Sequence, residues 1–185
     1  TRLKLQLAFL KQQDLAKKMG EDIEEMEKML NEYLEFSSHQ KKEVTSLISI
    51  KHLIENLTKK YPKEQIDLSL ENDLQINLRQ NAIKRCLANL IDNALAYGNK
   101  AKLITKKTMH NLIILIDDDG PGIPENEYAN VLKPFYRIDK SRGQNKSGVG
   151  LGLSITNDII RSHGGTISFE KSPSDGLRVK VSLPF

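Results

Sequence analysis

The sequence predicts an α+β protein: a two-layer α/β sandwich, with one mixed sheet covered by helices on one face, preceded by a short helical hairpin. Three observations predict it. Apolar residues in positions 1–37 recur at helical spacing, whereas beyond position 44 segments of period two are interleaved with helical ones. The run Leu112–Ile116 is apolar on both faces, as a central, covered strand requires. The segments TISFEK and LRVKVSL near the end alternate, as strands with one covered face do.

Taken in order, Leu3, Leu7 and Leu10, then Ile23, Met26, Leu30 and Tyr33, trace a heptad seam with Glu and Lys outside it. They predict two helices joined by a loop around Lys11–Gly20, an αα-hairpin. So short a hairpin cannot bury its seam alone and needs a partner hairpin or a neighbouring domain. Residues 38–43, in the polar stretch SSHQKKE, read as a linker, and a second domain spans 44–185. Leu47, Ile50, Ile54 and Leu57 predict a helix stopped by Pro62. QIDLSL and LQINL read as strands. Residues 80–97 predict a helix whose core face is Ile83, Leu87, Leu90 and Ala94. AKLITKK and NLIILID predict a hairpin pair, and ENEYANVL a short helix. GLGLSITNDIIRSHGG predicts a helix ended by Gly164–Gly165, and TISFEK and LRVKVSL close the sheet.

Composition narrows the function. The net charge of +4 comes from dispersed basic residues, the pattern of a solvated surface. Trp is absent and aromatics are 5%, which argues against a stacking platform for single-stranded nucleic acid. The single cysteine, Cys86, excludes an internal disulfide, fits a reducing compartment and reads as a small buried hydrophobe. No apolar run approaches the roughly 18 residues that a membrane span needs, and no signal peptide is visible. The chain opens without Met and already in helical pattern, so we expect a piece of a longer protein.

Three stretches carry chemistry. In NLIDNALAYGNK, Asn89, Asn93 and Tyr97 fall on one helical stripe, within about 80° of one another, bordering the core face. Two amides there are either bridging groups or oxygen ligands for a hard cation that keeps some of its waters. In IDDDGPGIP, alternation puts Ile114, Ile116 and Asp118 on the covered face and turns Asp117 away. An inward carboxylate is costly unless something donates to it, and a purine's exocyclic amine would serve; a plain tight turn with a solvated acidic cluster is the other reading. In SGVGLGLSI, Gly148, Gly150 and Gly152 precede and open a helix, where free N–H groups and the dipole favour phosphate. Neither the Walker pattern nor the dinucleotide fingerprint fits this stretch. Between the last two lies LKPFYRIDKSRGQNKS, with Lys140, Arg142 and Lys146 around Gly143, the make-up of a lid that closes over an anion or of a surface loop.

The order and spacing of these stretches resemble the catalytic ATP-binding domain of sensor histidine kinases, within the wider group that includes the Hsp90, gyrase and MutL ATPases. NLIDNALAYG matches its N box, DDGPGI its G1 box, KPFYRID its F box and GVGLGLSI its G2 box, and HGGTI also fits. TRLKLQL, DIEEMEKMLNEYLEF and NAIKRCLANLIDNALAYGN are similar to the osmolarity-sensor subgroup, the first two to the tail of its dimerisation hairpin. The resemblance implies the Bergerat (GHKL) ATP-binding fold, with ATP and Mg²⁺ as cofactors. It implies that Asn89 and Asn93 face the metal and triphosphate, with Asn89 the better metal ligand, and that Tyr97 lies against the adenine or ribose. Asp118 would accept from the adenine amine, in a pocket shaped by Gly120, Gly122 and Ile123. Phe135 and Arg137 would anchor the lid that carries Lys140, Arg142 and Lys146. Gly148, Val149, Gly150, Leu151 and Gly152 would wrap the phosphates. It further implies a response-regulator receiver domain as partner, a homodimer through helices 1–37, no nucleic acid, and a location in the cytoplasmic portion of an inner-membrane bacterial sensor whose membrane part would lie N-terminal to this chain.

There are departures from the family pattern. Ala96 stands where a basic residue often precedes the N-box Tyr, and Val149 where a small hydroxyl residue is common. The family's phosphoacceptor, a His followed by an acidic residue in a segment ending in Thr-Pro-Leu, is not among His39, His52, His110 and His163. No catalytic residue is therefore assigned, and this chain alone is expected not to autophosphorylate. Two alternatives stand beside this reading. An ATP-hydrolysing relative of the Hsp90 or MutL type would need a general base on the N-box helix, where Glu is absent and Asp92 is present. The other is a nucleotide-dependent regulatory or dimerisation module.

Overall fold

The structure, a computed structural model, describes residues 17, 19–21, 23, 24, 26, 27, 30, 43–71, 74–138 and 150–185. The chain divides into two compact units, Thr1–Lys42 and Glu43–Phe185. In the first, every described residue is helical, Lys17 and Met19–Glu21 included, so the predicted loop does not reach them. Gly20 in a helix interior costs about 1 kcal/mol relative to Ala, which the Lys-, Met- and Glu-rich flanks outweigh. Met26 and Leu30, two seam positions, are 65% and 58% exposed.

The second unit runs β1 (Ser46–Ser49), α1 (Ile50–Thr58), β2 (Ile66–Ser69), β3 (Gln75–Leu78), α2 (Gln80–Tyr97), β4 (Ala101–Lys107), β5 (Asn111–Asp118), α3 (Gly152–Ser162), β6 (Thr166–Lys171) and β7 (Leu177–Pro184). β1 and β3 form an antiparallel ribbon, and the main sheet has the order β2-β4-β5-β7-β6. Only β2–β4 is parallel among these described pairs, so the sheet is mixed. As the apolar run predicted, β5 is central: Leu112, Ile114 and Ile116 are at most 1% exposed.

Each face follows from the pattern. Ile83, Cys86, Leu87, Leu90, Ile91 and Ala94 of α2 are buried, with Ala101 and Leu103 of β4 and Val179, Val181 and Leu183 of β7. Each such Leu, Ile or Val contributes about 1.5–3 kcal/mol by leaving water. Burial pushes the Cys86 thiol up to about 12, so it stays a neutral packing group. α3 ends as predicted: Gly164 takes φ +73, and the Gly165 N–H reaches the Ile160 carbonyl at 2.9 Å.

Two elements differ from expectation. Leu47 lies in β1, opposite Asn77, and not in a helix. The helix starts at Ile50, where the Ser49 side chain caps the His52 N–H at 3.4 Å. ENEYANVL forms only a 3-10 turn at Glu125–Glu127, followed by further turns. There the Glu127 carboxylate accepts from the Tyr136 hydroxyl at 2.6 Å and the Asn130 amide at 3.1 Å, which fixes turns where a regular helix would continue.

Candidate nucleotide site

Among the described residues, the α2 amides, Tyr97, Asp118, Gly120 and Gly152 collect where the second half of α2, the end of β5 and the start of α3 meet. Asn89 and Asn93 border the buried stripe of α2 and face the first residue of α3. The Asn89 amide donates to the Gly152 carbonyl at 3.3 Å, and a Cβ at Gly152 would lie 3.9 Å from both Asn89 and the Asn93 amide nitrogen. One turn on, Tyr97 is 47% exposed. Its backbone carbonyl approaches Gly120 so closely that a Cβ there would stand 2.8 Å away. The α2 stripe thus lies against Gly120 of the G1 stretch and Gly152 of the G2 stretch.

Strand parity delivers the carboxylate as predicted. Asp118 is 6% exposed, and its neighbour Asp117 pairs with Arg178 in the ladder. Oδ1 of Asp118 accepts the N–H groups of Gly120 and Leu177, each at 2.9 Å. Oδ2 has no hydrogen-bond partner among the described residues. Burial raises the carboxyl above its ordinary value; the two N–H donors pull it down, and Asp119 and Asp117 push it up. The result is a partly satisfied, inward-facing acceptor.

The glycine turns are sterically required. Gly122 has φ +70 and packs against the Gly176 carbonyl. A Cβ at Gly176 would stand 2.4 Å from the Asp118 carboxylate, so only glycine fits. Gly150 has φ +79, and its carbonyl accepts the Phe135 N–H at 3.0 Å. Phe135 itself holds φ +63 and is 58% exposed, a strained residue where the F box meets the G2 turn. Arg137 is half-buried and Leu151 buried. Ser154 ties the first turn of α3 by donating to the Leu151 carbonyl at 2.9 Å. Ile123 lines a neighbouring cavity of about 370 Å³ with Pro121, Pro124, Tyr128 and Leu177. Lys140, Arg142, Lys146, Gly148 and Val149 lie outside the described residues.

Sequence reasoning passed over several positions that hold the site together. Asp119 accepts the N–H groups of Asn99 and Lys100 at 2.6 and 3.0 Å, which fastens the end of α2 to the turn after β5. These donors, Lys100 first, hold its carboxyl below the ordinary range. Gly176 and the Leu177 N–H come from β7 and its approach. The D-D-D run showed three carboxylates, but their separate partners appear only once the strands are paired.

Residues 78–185 match the family described as histidine kinase-, DNA gyrase B-, and HSP90-like ATPase. The chain belongs to this family. It is 33% identical over 189 residues to the sensor histidine kinase GtrS of Pseudomonas aeruginosa, covering all of this chain and 38% of GtrS. To the sensor histidine kinase CpxA of Escherichia coli K12 it is 31% identical over 200 residues, again all of this chain and 43% of CpxA. The chain therefore spans about two-fifths of these relatives' length. Among solved structures it resembles the catalytic domain of the histidine kinase ThkA at TM-score 0.64 and 26% identity, covering 76% of this chain and 95% of that one. The fold is the GHKL ATP-binding fold of histidine kinase catalytic domains.

Proposed function

We propose that this chain is the ATP-binding catalytic portion of a two-component sensor histidine kinase. It transfers the γ-phosphoryl group of Mg-ATP to a histidine of a dimerisation helix, for relay to an aspartate of a response-regulator receiver domain. The bond from γ-phosphorus to its bridging oxygen breaks and ADP leaves; a P–N bond forms and the imidazole gives up its proton. Catalysis is then mainly positioning and charge neutralisation.

The reading rests above all on one juxtaposition: the amide row of α2, the inward carboxylate of Asp118 and glycine-lined backbone lie at one end of the sandwich. In it, Asp118 Oδ2 accepts the adenine amine while Gly120, Gly122, Ile123 and Tyr97 bound the base. Gly148, Val149, Gly150, Leu151 and Gly152 follow the phosphates. Phe135 and Arg137 anchor a lid whose Lys140, Arg142 and Lys146 close over them. Among the described residues no cluster of three or more His, Cys, Asp or Glu offers a metal site. The Asn89 and Asn93 amide oxygens suit Mg²⁺, a hard cation that takes its other ligands from phosphate and water. When bound, the ion supplies neutralisation of the triphosphate charge. The homodimer contact runs through residues 1–37, which the exposed seam residues Met26 and Leu30 favour. The parent protein would present this portion on the cytoplasmic side of a bacterial inner membrane. Among the described residues no helix is long and apolar enough to cross a membrane.

A hydrolase of the same fold would need a carboxylate on α2 to activate water. Asp92 is the one acidic residue of α2, and it accepts the Tyr61 hydroxyl at 2.6 Å. Tyr61 lies beyond α1, so this carboxylate is engaged away from the amide row. Calorimetric titration of ATP with Mg²⁺ tests the proposal: Asn93→Ala and Asp118→Ala each weaken binding by about tenfold or more. Unchanged affinity in both variants would refute it. Incubated alone with γ-labelled ATP, the chain stays unlabelled, whereas an acceptor hairpin added in trans becomes labelled; steady hydrolysis without acceptor would favour the hydrolase instead.

A further inference from the structure

The face of the sheet turned away from the helices carries an alternating row of charge. Ladder register places Asp67 beside Lys102, Lys102 beside Asp117, Asp117 beside Arg178 and Arg178 beside Glu170. The members of this row are unequal. Lys102 and Asp67 stand 3.6 Å apart with both side chains about half exposed or more, so water screens that pair. Arg178 instead grips Asp117 with two bonds, Nε at 2.6 Å and Nη2 at 2.7 Å, and the two side chains are 21% and 5% exposed. Such a bidentate fork fixes orientation as well as distance.

The location of this fork matters more than its strength. Asp117 is the residue before Asp118, and Arg178 the residue after Leu177, whose N–H holds Asp118 Oδ1. The same two dipeptides are therefore clamped on both faces of the sheet: by the fork outside and by the carboxylate–amide bond inside. Gly176 fits against Asp118 with no room for a Cβ, so a small slip of β7 moves the contact directly. The fork also neutralises Asp117, a charge one residue away that works against Asp118 remaining ionised.

We propose that Arg178 is a positioning residue for nucleotide selectivity: through Asp117 it locks the end of β7 against β5 so that Asp118 Oδ2 is aimed at the exocyclic amine of the purine. This rests on the reading of Asp118 given above. The test is the ratio of two affinities, measured calorimetrically with Mg²⁺: ATP against purine riboside triphosphate, which is ATP without the 6-amino group. The wild type is expected to prefer ATP by about tenfold or more, the worth of one hydrogen bond to a charged acceptor. In Arg178→Met the preference falls below about threefold while affinity for the amine-free analogue changes by less than about twofold. Removing one partner of a shielded ion pair is hazardous to folding. The double variant Asp117→Asn/Arg178→Gln leaves neither member of the fork as an unpaired charge and is expected to lose the preference in the same way. A variant that weakens both ligands equally, with the ratio intact, would make Arg178 a purely structural residue and overturn the proposal. A wild type without preference would instead refute the role of Asp118, and the proposal with it.

Discussion

The two ends of α2 are built on opposite plans. At its start, side chains from elsewhere in the chain meet the N–H groups of Arg79, Asn81 and Ala82. Glu43, in the stretch read as linker, accepts the N–H groups of Asn81 and Ala82 at 2.6 and 3.1 Å, a negative charge at the positive end of the helix dipole. His163 Nε2 accepts the Arg79 backbone N–H at 3.2 Å and its Nε–H at 3.3 Å. Its Nδ1 donates to the Ile159 carbonyl at 2.8 Å, which fixes the neutral tautomer. The Arg79 guanidinium also donates to the Ser162 hydroxyl. At the far end, polar groups are placed with acceptors to spare among the described residues: the Asp118 Oδ2 and the amide oxygens of Asn89 and Asn93, beside the glycine turns. The closed end holds α3 to α2; the open end is the one we propose binds the nucleotide.

The sharpest way to separate the two ends is Asp118→Asn. The amide oxygen still accepts from Gly120 and Leu177, but the buried charge is gone. Because burial raises the Asp118 carboxyl, the folded state binds its proton more readily than the unfolded chain does. The ionised form at neutral pH therefore works against folding, a penalty relieved as pH falls through the raised folded value. The variant should melt at a higher temperature, while ATP affinity drops by about 1.5–3 kcal/mol. Thermal melts and titration check both signs. A melting temperature that falls together with affinity would show Asp118 to be a structural anchor and erase the contrast.

A second comparison uses glycines. A Cβ at Gly176 would meet the Asp118 backbone carbonyl at 2.3 Å, and one at Gly165 would meet the Ser182 carbonyl at 2.4 Å. Both are backbone clashes that a rotamer change cannot relieve. Gly176→Ala and Gly165→Ala should each destabilise by about 1–3 kcal/mol, roughly 2–4 °C in Tm per kcal/mol at this size. Only Gly176→Ala should also weaken nucleotide binding at a temperature where both variants are folded. Equal loss of affinity in the two would mean that the open end is no more sensitive than the rest of the fold.

The legible parts of this molecule are those whose signal is local. Helix α2 is written in eighteen residues of one pattern, and the inward turn of Asp118 follows from parity along a single strand. Leu47 misled because it lies at helical spacing from Ile50 and Ile54, while its partner, Asn77, belongs to a distant strand. Asp119, Gly176 and Arg178 were passed over for a related reason: each acts across a pairing that no window contains. The Leu177 amide that holds Asp118 comes from 59 residues further along the chain. Motif order pointed to the end of the sandwich where the α2 amides, Asp118 and the glycine turns meet; the supports of that end depend on β5–β7 register, which only the assembled sheet supplies.

The smallest effect belongs to the closed end and has its own pH signature. Burial, ahead of the nearby Arg79 charge, lowers the His163 pKa; the Ile159 carbonyl and Glu43 oppose the shift. The unfolded chain takes up this proton near its ordinary value of 6.5, the folded protein only at lower pH. Between the two values the unfolded state binds more protons, so stability falls as pH falls. Protonation would also turn Nε2 from acceptor to donor and orphan the Arg79 N–H, a loss of about 0.5–1.5 kcal/mol. The lowered carboxyls of Asp119 and Asp175 titrate below this window and do not contribute to it. Thermal melts of wild type and His163→Gln at pH 7.5 and 5.5 isolate the effect: the variant is less stable at pH 7.5, and the gap narrows at pH 5.5. A gap independent of pH would mean that His163 serves by shape alone, leaving the closed end without a titrating group.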